Sequence, residues 1–86
     1  MNAATIAVTV CFYSYFKDLT GCAHTNQKVP AGATLAALFQ VLTKQFPKLA
    51  AMEKSVLMAV GVEYQDRGYV LKDGDEISLF PPVQGG

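Results

Sequence analysis

The run Phe80-Pro81-Pro82-Val83-Gln84-Gly85-Gly86 closes the sequence on a free glycine carboxylate, the group in this chain best suited to do chemistry. Pro81 and Pro82 fix φ and remove two backbone donors, so they cannot continue a sheet ladder and should send the chain outward in an extended, polyproline-like path. Gly85 and Gly86 lack Cβ atoms, so a partner's channel can close around their backbone and admit the terminal carboxyl to a buried site. Two glycines in succession at a chosen position arise by chance about 0.5% of the time, which weighs against an inert end. An α-carboxyl with a pKa of about 3.5 is ionised at pH 7 and is a poor electrophile, so it needs activation, as an acyl adenylate made from ATP. The chain carries neither type of Gly-rich phosphate-binding motif. ATP is therefore expected to be used by a separate activating enzyme, with no cofactor bound to this chain.

The remaining reactive side chains read as ordinary. His24, the single histidine, has no acidic or cysteine neighbour at a metal-ligand spacing and reads as a surface residue. Cys11 lies opposite the core face of an alternating run and Cys22 follows Gly21 in a turn, and neither has the cationic surroundings of an activated thiol. Two cysteines without a secretory leader make no disulfide framework, which points to a reduced, cytoplasmic setting. Met1 to Phe16 has no Lys or Arg and falls short of the roughly 18 apolar residues a span needs, so neither a signal peptide nor a membrane segment is expected. Asp73, Asp75 and Glu76 fit an acidic tight turn and no calcium loop, so no metal site is expected.

The elements that must position the tail follow from periodicity. With 86 residues, 51% hydrophobic and 16% charged, the chain supports one domain burying roughly 60–65% of its unfolded surface. Seven basic and seven acidic residues cancel, and no basic stripe interleaves with aromatics, which argues against nucleic acid. Ile6, Val8, Val10 and Phe12 alternate as a first strand, Tyr15 to Gly21 reads as a turn or short helical segment, and His24 to Val29 as a second strand antiparallel to the first. Thr34 is a good N-cap for an amphipathic helix over Thr34 to Phe46, with Leu35, Leu38, Leu42 and Phe46 on one stripe and Pro47 beyond its end. Leu49 to Met52 suits a further helical turn, and Val56 to Val60 a buried strand with Leu57 in the core. After a turn-rich hairpin region from Gly61 to Gly68, Tyr69-Val70-Leu71 reads as a short strand, Asp73-Gly74 as a tight turn and Glu76 to Phe80 as the last strand.

The order ββαβββ predicts an α+β fold, a β-grasp of the ubiquitin-like kind over residues 1–80. Its first and last strands lie parallel at the centre of a mixed sheet, and residues 81–86 form a separate extended tail. Val8, Val10, Phe12, Leu35, Leu38, Leu42, Leu57 and Ile77 are the expected core. One helix covers one face only, so Thr9, Cys11, Tyr13 and Phe80 are expected on an uncovered apolar face beside the tail, where a partner can dock.

The segment Leu71 to Gly86 resembles the end of the small subunits of molybdopterin synthase, the ubiquitin-like sulfur carriers of molybdenum cofactor synthesis. That family commonly ends in L-x-D-G-D-E-V followed by F-P-P-V-x-G-G, reproduced here with Ile77 in place of Val. The likeness extends more loosely to the apolar first strand, to Phe16-Lys17-Asp18-Leu19-Thr20-Gly21 and to Ala59-Val60, with Gly61 standing where the family usually has Asn. The resemblance implies that Gly86 is adenylated by an enzyme of the ubiquitin-activating type, converted to a thiocarboxylate, and held in the active site of a large subunit that supplies the catalytic groups. It further implies a heterotetramer of two small and two large subunits. Phe80, Pro81, Pro82, Val83, Gln84, Gly85 and Tyr13 are then the expected partner-binding residues. A sulfur carrier for thiamin or for transfer-RNA thiolation shares the fold and the Gly-Gly end. A protein modifier joined through Gly86 to lysines, or an interaction module with an inert tail, are alternatives of other classes.

Overall fold

Four alternating apolar residues, Ile6, Val8, Val10 and Phe12, make the first strand, and every other element is arranged around it. A computed structural model describes residues 4–82, with β1 at Thr5–Phe12, a short helix α1 at Phe16–Thr20, β2 at His24–Pro30 and the main helix α2 at Leu35–Gln45. A 3₁₀ segment at Pro47–Met52 follows, then β3 at Leu57–Val60, β4 at Glu63–Tyr64 and β5 at Glu76–Phe80. The strands form one sheet in the order β2-β1-β5-β3-β4. β1 pairs antiparallel with β2, from Thr5↔Pro30 to Cys11↔His24, and parallel with β5, from Thr9↔Glu76 to Phe12↔Leu79. β3 runs antiparallel to β5, from Leu57↔Phe80 to Val60↔Ile77. First and last strands are thus neighbours at the sheet centre, with α2 crossing one face, which is the β-grasp arrangement.

Local chemistry explains the helix ends. The Thr34 hydroxyl accepts a hydrogen bond from the Ala37 N–H at 3.2 Å, satisfying one of the donors a helix start leaves free. Phe46, in a non-helical conformation, closes the other end before Pro47. The core is built from Val8, Val10 and Phe12 of β1, Leu35, Leu38, Phe39 and Leu42 of α2, and Ile77 and Leu79 of β5, all almost wholly buried, with Phe16 and Leu49 sealing its ends. At the rim of this core Gln27 and Gln45 exchange two side-chain hydrogen bonds, of 3.0 and 2.9 Å, so the buried amide of β2 is satisfied by α2.

Two expectations are corrected. Leu57 is half-buried and outside the core, because Val56 and Met58 take the inward positions of that segment and the period-two alternation turns Leu57 to the outer face. Tyr69-Val70-Leu71 is not a strand beyond a single bridge between Thr34 and Val70. The carbonyls of Arg67 and Tyr69 accept from the N–H groups of Ala36 and Leu35 at 3.1 and 3.0 Å, and the Leu71 N–H donates to the Ala33 carbonyl at 2.8 Å. The segment spends its backbone capping α2. The fourth strand is instead Glu63–Tyr64, reached from β3 by the two-residue turn Gly61-Val62. Gly61 stands first in that turn with φ +62°, a left-handed conformation that asparagine also adopts readily, so the Gly-for-Asn difference leaves the turn's shape intact.

Candidate functional site

Phe12 and Leu79, opposite one another in the parallel pair, point into the core, so the next residue of each segment, Tyr13 and Phe80, emerges on the outer face. A hydrogen bond of 3.2 Å from the Tyr13 N–H to the Leu79 carbonyl extends the ladder one step past β1. The two rings then stack, with centroids 4.8 Å apart and planes 10° from parallel. Tyr64 meets Phe80 edge-on at 6.0 Å, and Leu57 lies directly across the ladder from Phe80. The result is an aromatic and aliphatic surface at the root of the tail, on the face that α2 does not cover. Tyr13 is 44% exposed and Tyr64 65% exposed, a concentration of apolar area typical of docking sites. Beyond Leu57 and Tyr64 a groove of about 510 Å³ continues the surface, rimmed by Asp66 and Arg67. Arg67 donates to the Glu53 carbonyl and lies over the Phe39 ring at 5.9 Å.

The structure therefore brings together Tyr13 and Phe80, two of the residues singled out from sequence, and places half-buried Pro81 and Pro82 directly after them. Val83, Gln84, Gly85 and Gly86 lie outside the described residues. Tyr64 is not among the residues singled out from sequence, because the hairpin region from Gly61 to Gly68 is read there without a strand, whereas the Gly-X pair between Val60 and Glu63 places β4 directly after it.

The acidic turn before β5 is stitched to β1. The Asp73 carboxylate accepts from the Ala7 N–H at 2.8 Å, and the Asp75 carboxylate from the Lys72 N–H at 2.9 Å and the Tyr69 hydroxyl at 3.1 Å. Gly74, at φ +87°, donates to the Ala7 carbonyl at 2.7 Å. These carboxylates accept from two backbone N–H groups and the Tyr69 hydroxyl, contacts that tie the turn to β1 and help set β5 in register. Among the described residues no group of three or more His, Cys, Asp and Glu is arranged to hold a metal ion. Cys11 and Cys22 are both free thiols. Burial pushes the Cys11 thiol above its ordinary value, and the Glu76 carboxylate, 3.7 Å from its sulfur, pushes it further. This is opposite to the activation a sulfur-relay thiol requires. His24 is exposed at the start of β2. Among the described residues no helix is long and apolar enough to cross a membrane.

The chain is similar in sequence and fold to known proteins. The model of the ThiS family matches residues 10–86. The chain is 30% identical over 82 residues to the human molybdopterin synthase sulfur carrier subunit, covering 92% of this chain and 93% of that one. It is 26% identical over 85 residues to the Arabidopsis thaliana protein of the same name, covering 99% and 88%. It also superimposes with a TM-score of 0.69 and 28% identity on a chain in the protein–protein complex of subunits 1 and 2 of the molybdopterin-converting factor from Helicobacter pylori, over 94% of this chain and 100% of that one.

Proposed function

Because the chain belongs to the ThiS family, we propose that it is a sulfur carrier of molybdenum cofactor synthesis, whose Gly86 carboxylate is the group that carries the sulfur. The family match itself leaves the pathway open; the human and Arabidopsis relatives, both molybdopterin synthase sulfur carrier subunits, favour this pathway over thiamin synthesis or transfer-RNA thiolation. The observation that carries the reading is the terminal run Phe80-Pro81-Pro82-Val83-Gln84-Gly85-Gly86, whose first residue stacks on Tyr13.

In this reading a separate adenylating enzyme of the ubiquitin-activating type joins the Gly86 carboxylate to the AMP portion of ATP with loss of pyrophosphate. Sulfur at the sulfide oxidation level then displaces AMP, leaving a thiocarboxylate. A thiocarboxylate sulfur is a soft nucleophile, and delivering it to the pterin precursor inside a closed channel keeps water from the acyl group. The catalytic acid and base groups belong to a large subunit, in keeping with the two-subunit complex solved for the Helicobacter pylori protein, and two copies of each subunit make the working synthase. Tyr13, Phe80, Pro81, Pro82, Val83, Gln84 and Gly85 hold that partner. ATP stays with the activating enzyme, and the two free thiols suit a reducing, cytoplasmic setting.

Intact mass of the chain after incubation with ATP, a sulfide source and the adenylating enzyme tests the reading. Replacement of one oxygen by sulfur at Gly86 is expected, whereas conjugates to lysine indicate a modifier and an unchanged mass an inert tail.

A further inference from the structure

Ser14 is the one non-glycine residue with a positive φ among the described residues, at +56°. Its Cβ makes that conformation unfavourable, and serine is not among the residues enriched there. Such a backbone persists only where its surroundings over-determine it. Here they do. On the strand side the Tyr13 N–H is held by the Leu79 carbonyl at 3.2 Å, and on the helix side the Tyr13 and Ser14 carbonyls accept from the N–H groups of Phe16 and Lys17 at 3.1 and 3.2 Å. The Phe16 side chain is fully buried, with Tyr15 packed edge-on against it at 5.4 Å. The chain must therefore reverse from β1 into α1 within Ser14 and Tyr15, and the left-handed turn falls at the first of them.

Besides delivering Phe16 to the core, that turn has a second product. It lets the ladder continue one step past β1, through the Tyr13 N–H, before the chain leaves the sheet, which lays the Tyr13 ring flat on Phe80 while leaving it 44% exposed. Phe80 is the last strand residue before Pro81 and Pro82. We propose that Ser14 is a positioning residue for docking: its left-handed backbone pre-sets the Tyr13–Phe80 stack at the root of the tail, so that the surface meeting the large subunit is formed before the partner arrives. This rests on the sulfur-carrier reading given above. Ordering a docking surface in advance removes part of the entropic cost of association, which is how an exposed, strained feature can matter more to binding than to folding.

The test compares the full chain with Ser14→Val, Ser14→Asn and Tyr13→Ala. Each is titrated into a molybdopterin synthase large subunit by calorimetry, with the Tyr13 and Phe80 ring proton shifts read by NMR in the free protein. Valine resists the left-handed region, so Ser14→Val should lose the mutual ring-current shifts and weaken binding by up to about tenfold, the scale of one aromatic pair. Asparagine tolerates that region, so Ser14→Asn should restore both, a rescue that a generic loss of stability would not show. Tyr13→Ala keeps the turn and removes the ring, so it should reproduce the loss even if Ser14→Val fails to fold. Equal affinity of Ser14→Val and the parent once the stack is lost, or of Tyr13→Ala and the parent, overturns the proposal while leaving the sulfur-carrier reading intact. Failure of the parent itself to bind the large subunit overturns both.

Discussion

Tyr13, the residue after β1, and Phe80, the last residue of β5, each follow one of the buried pair Phe12 and Leu79, and their rings stack at 4.8 Å with planes 10° apart. The last aromatic residue before the tail is thereby fixed to the first strand, so the tail leaves from a rigid root. With six residues beyond Phe80, Gly86 reaches at most about 21 Å from that root. On the sulfur-carrier proposal, a partner that takes Gly86 is expected to meet the surface of Tyr13, Phe80 and Tyr64.

Replacing Phe80 by alanine removes the ring shared by the Tyr13 and Tyr64 contacts. Association with the large subunit is expected to weaken by about 2 kcal/mol or more, the cost of truncating an interface anchor. Calorimetry measures it, and an unchanged dissociation constant removes Phe80 from the interface.

Leu38 and Leu57 should separate cleanly in a denaturant titration. Leu38 is 1% exposed beneath the sheet, so Leu38→Ala should cost about 2–5 kcal/mol. Leu57 faces outward and is half-buried, so Leu57→Ala should cost about 1 kcal/mol, half the transfer free energy of a fully buried leucine. Equal losses would contradict the assigned face of β3.

Most of this architecture was legible in the sequence where period and punctuation agree. The alternation of Ile6 to Phe12, the Thr34 cap with Leu35, Leu38 and Leu42, and the Asp73-Gly74 turn each point to one structure by local rules alone. Leu57 failed because Val56-Leu57-Met58-Ala59-Val60 is apolar throughout, and an unbroken run does not say which side faces in. Tyr69 to Leu71 failed because a cap on α2 partly buries Tyr69, buries Leu71 and exposes Val70 just as a strand would; only the distant N–H groups of Leu35 and Ala36 decide between them. The chemistry of the tail was readable, but the Tyr13–Phe80–Tyr64 cluster depends on sheet register, which links residues 16 and 67 positions apart and has no local signature.

Gly61→Asn should leave stability within about 0.5 kcal/mol of the parent, since asparagine accepts φ +62°. Gly61→Val should cost about 1–2 kcal/mol, because a Cβ is penalised in left-handed backbone. Thermal melts of the two variants check the pair, and equal effects would show that the turn does not demand that conformation.

Cys11 carries a pH signature. Burial first, and the Glu76 carboxylate second, hold its folded pKa above the 9.0 of an unperturbed thiol. A group whose folded pKa is raised stabilises the fold below its unfolded value and loses that contribution as pH climbs through the folded value, so the loss falls on the alkaline side of pH 9. Iodoacetamide labelling of Cys11 in the native chain, followed by peptide mass mapping, should show its half-maximal rate at higher pH than in the unfolded chain. Glu76→Gln should move it partway back. Coincident native and unfolded profiles would contradict the assignment.

The most direct measurement of the central claim is molybdopterin formation by synthase reconstituted with a chain lacking Gly86. Removing one residue withdraws the carboxyl by roughly 3.5 Å, and a misplacement of about 1 Å at a reacting group can already cost on the order of a hundredfold. Product formation is expected to fall to background, with circular dichroism and thermal stability unchanged because the core of Val10, Phe12, Leu38 and Ile77 is untouched. A chain without Gly86 that still accepts and delivers sulfur at the parent rate would contradict the account.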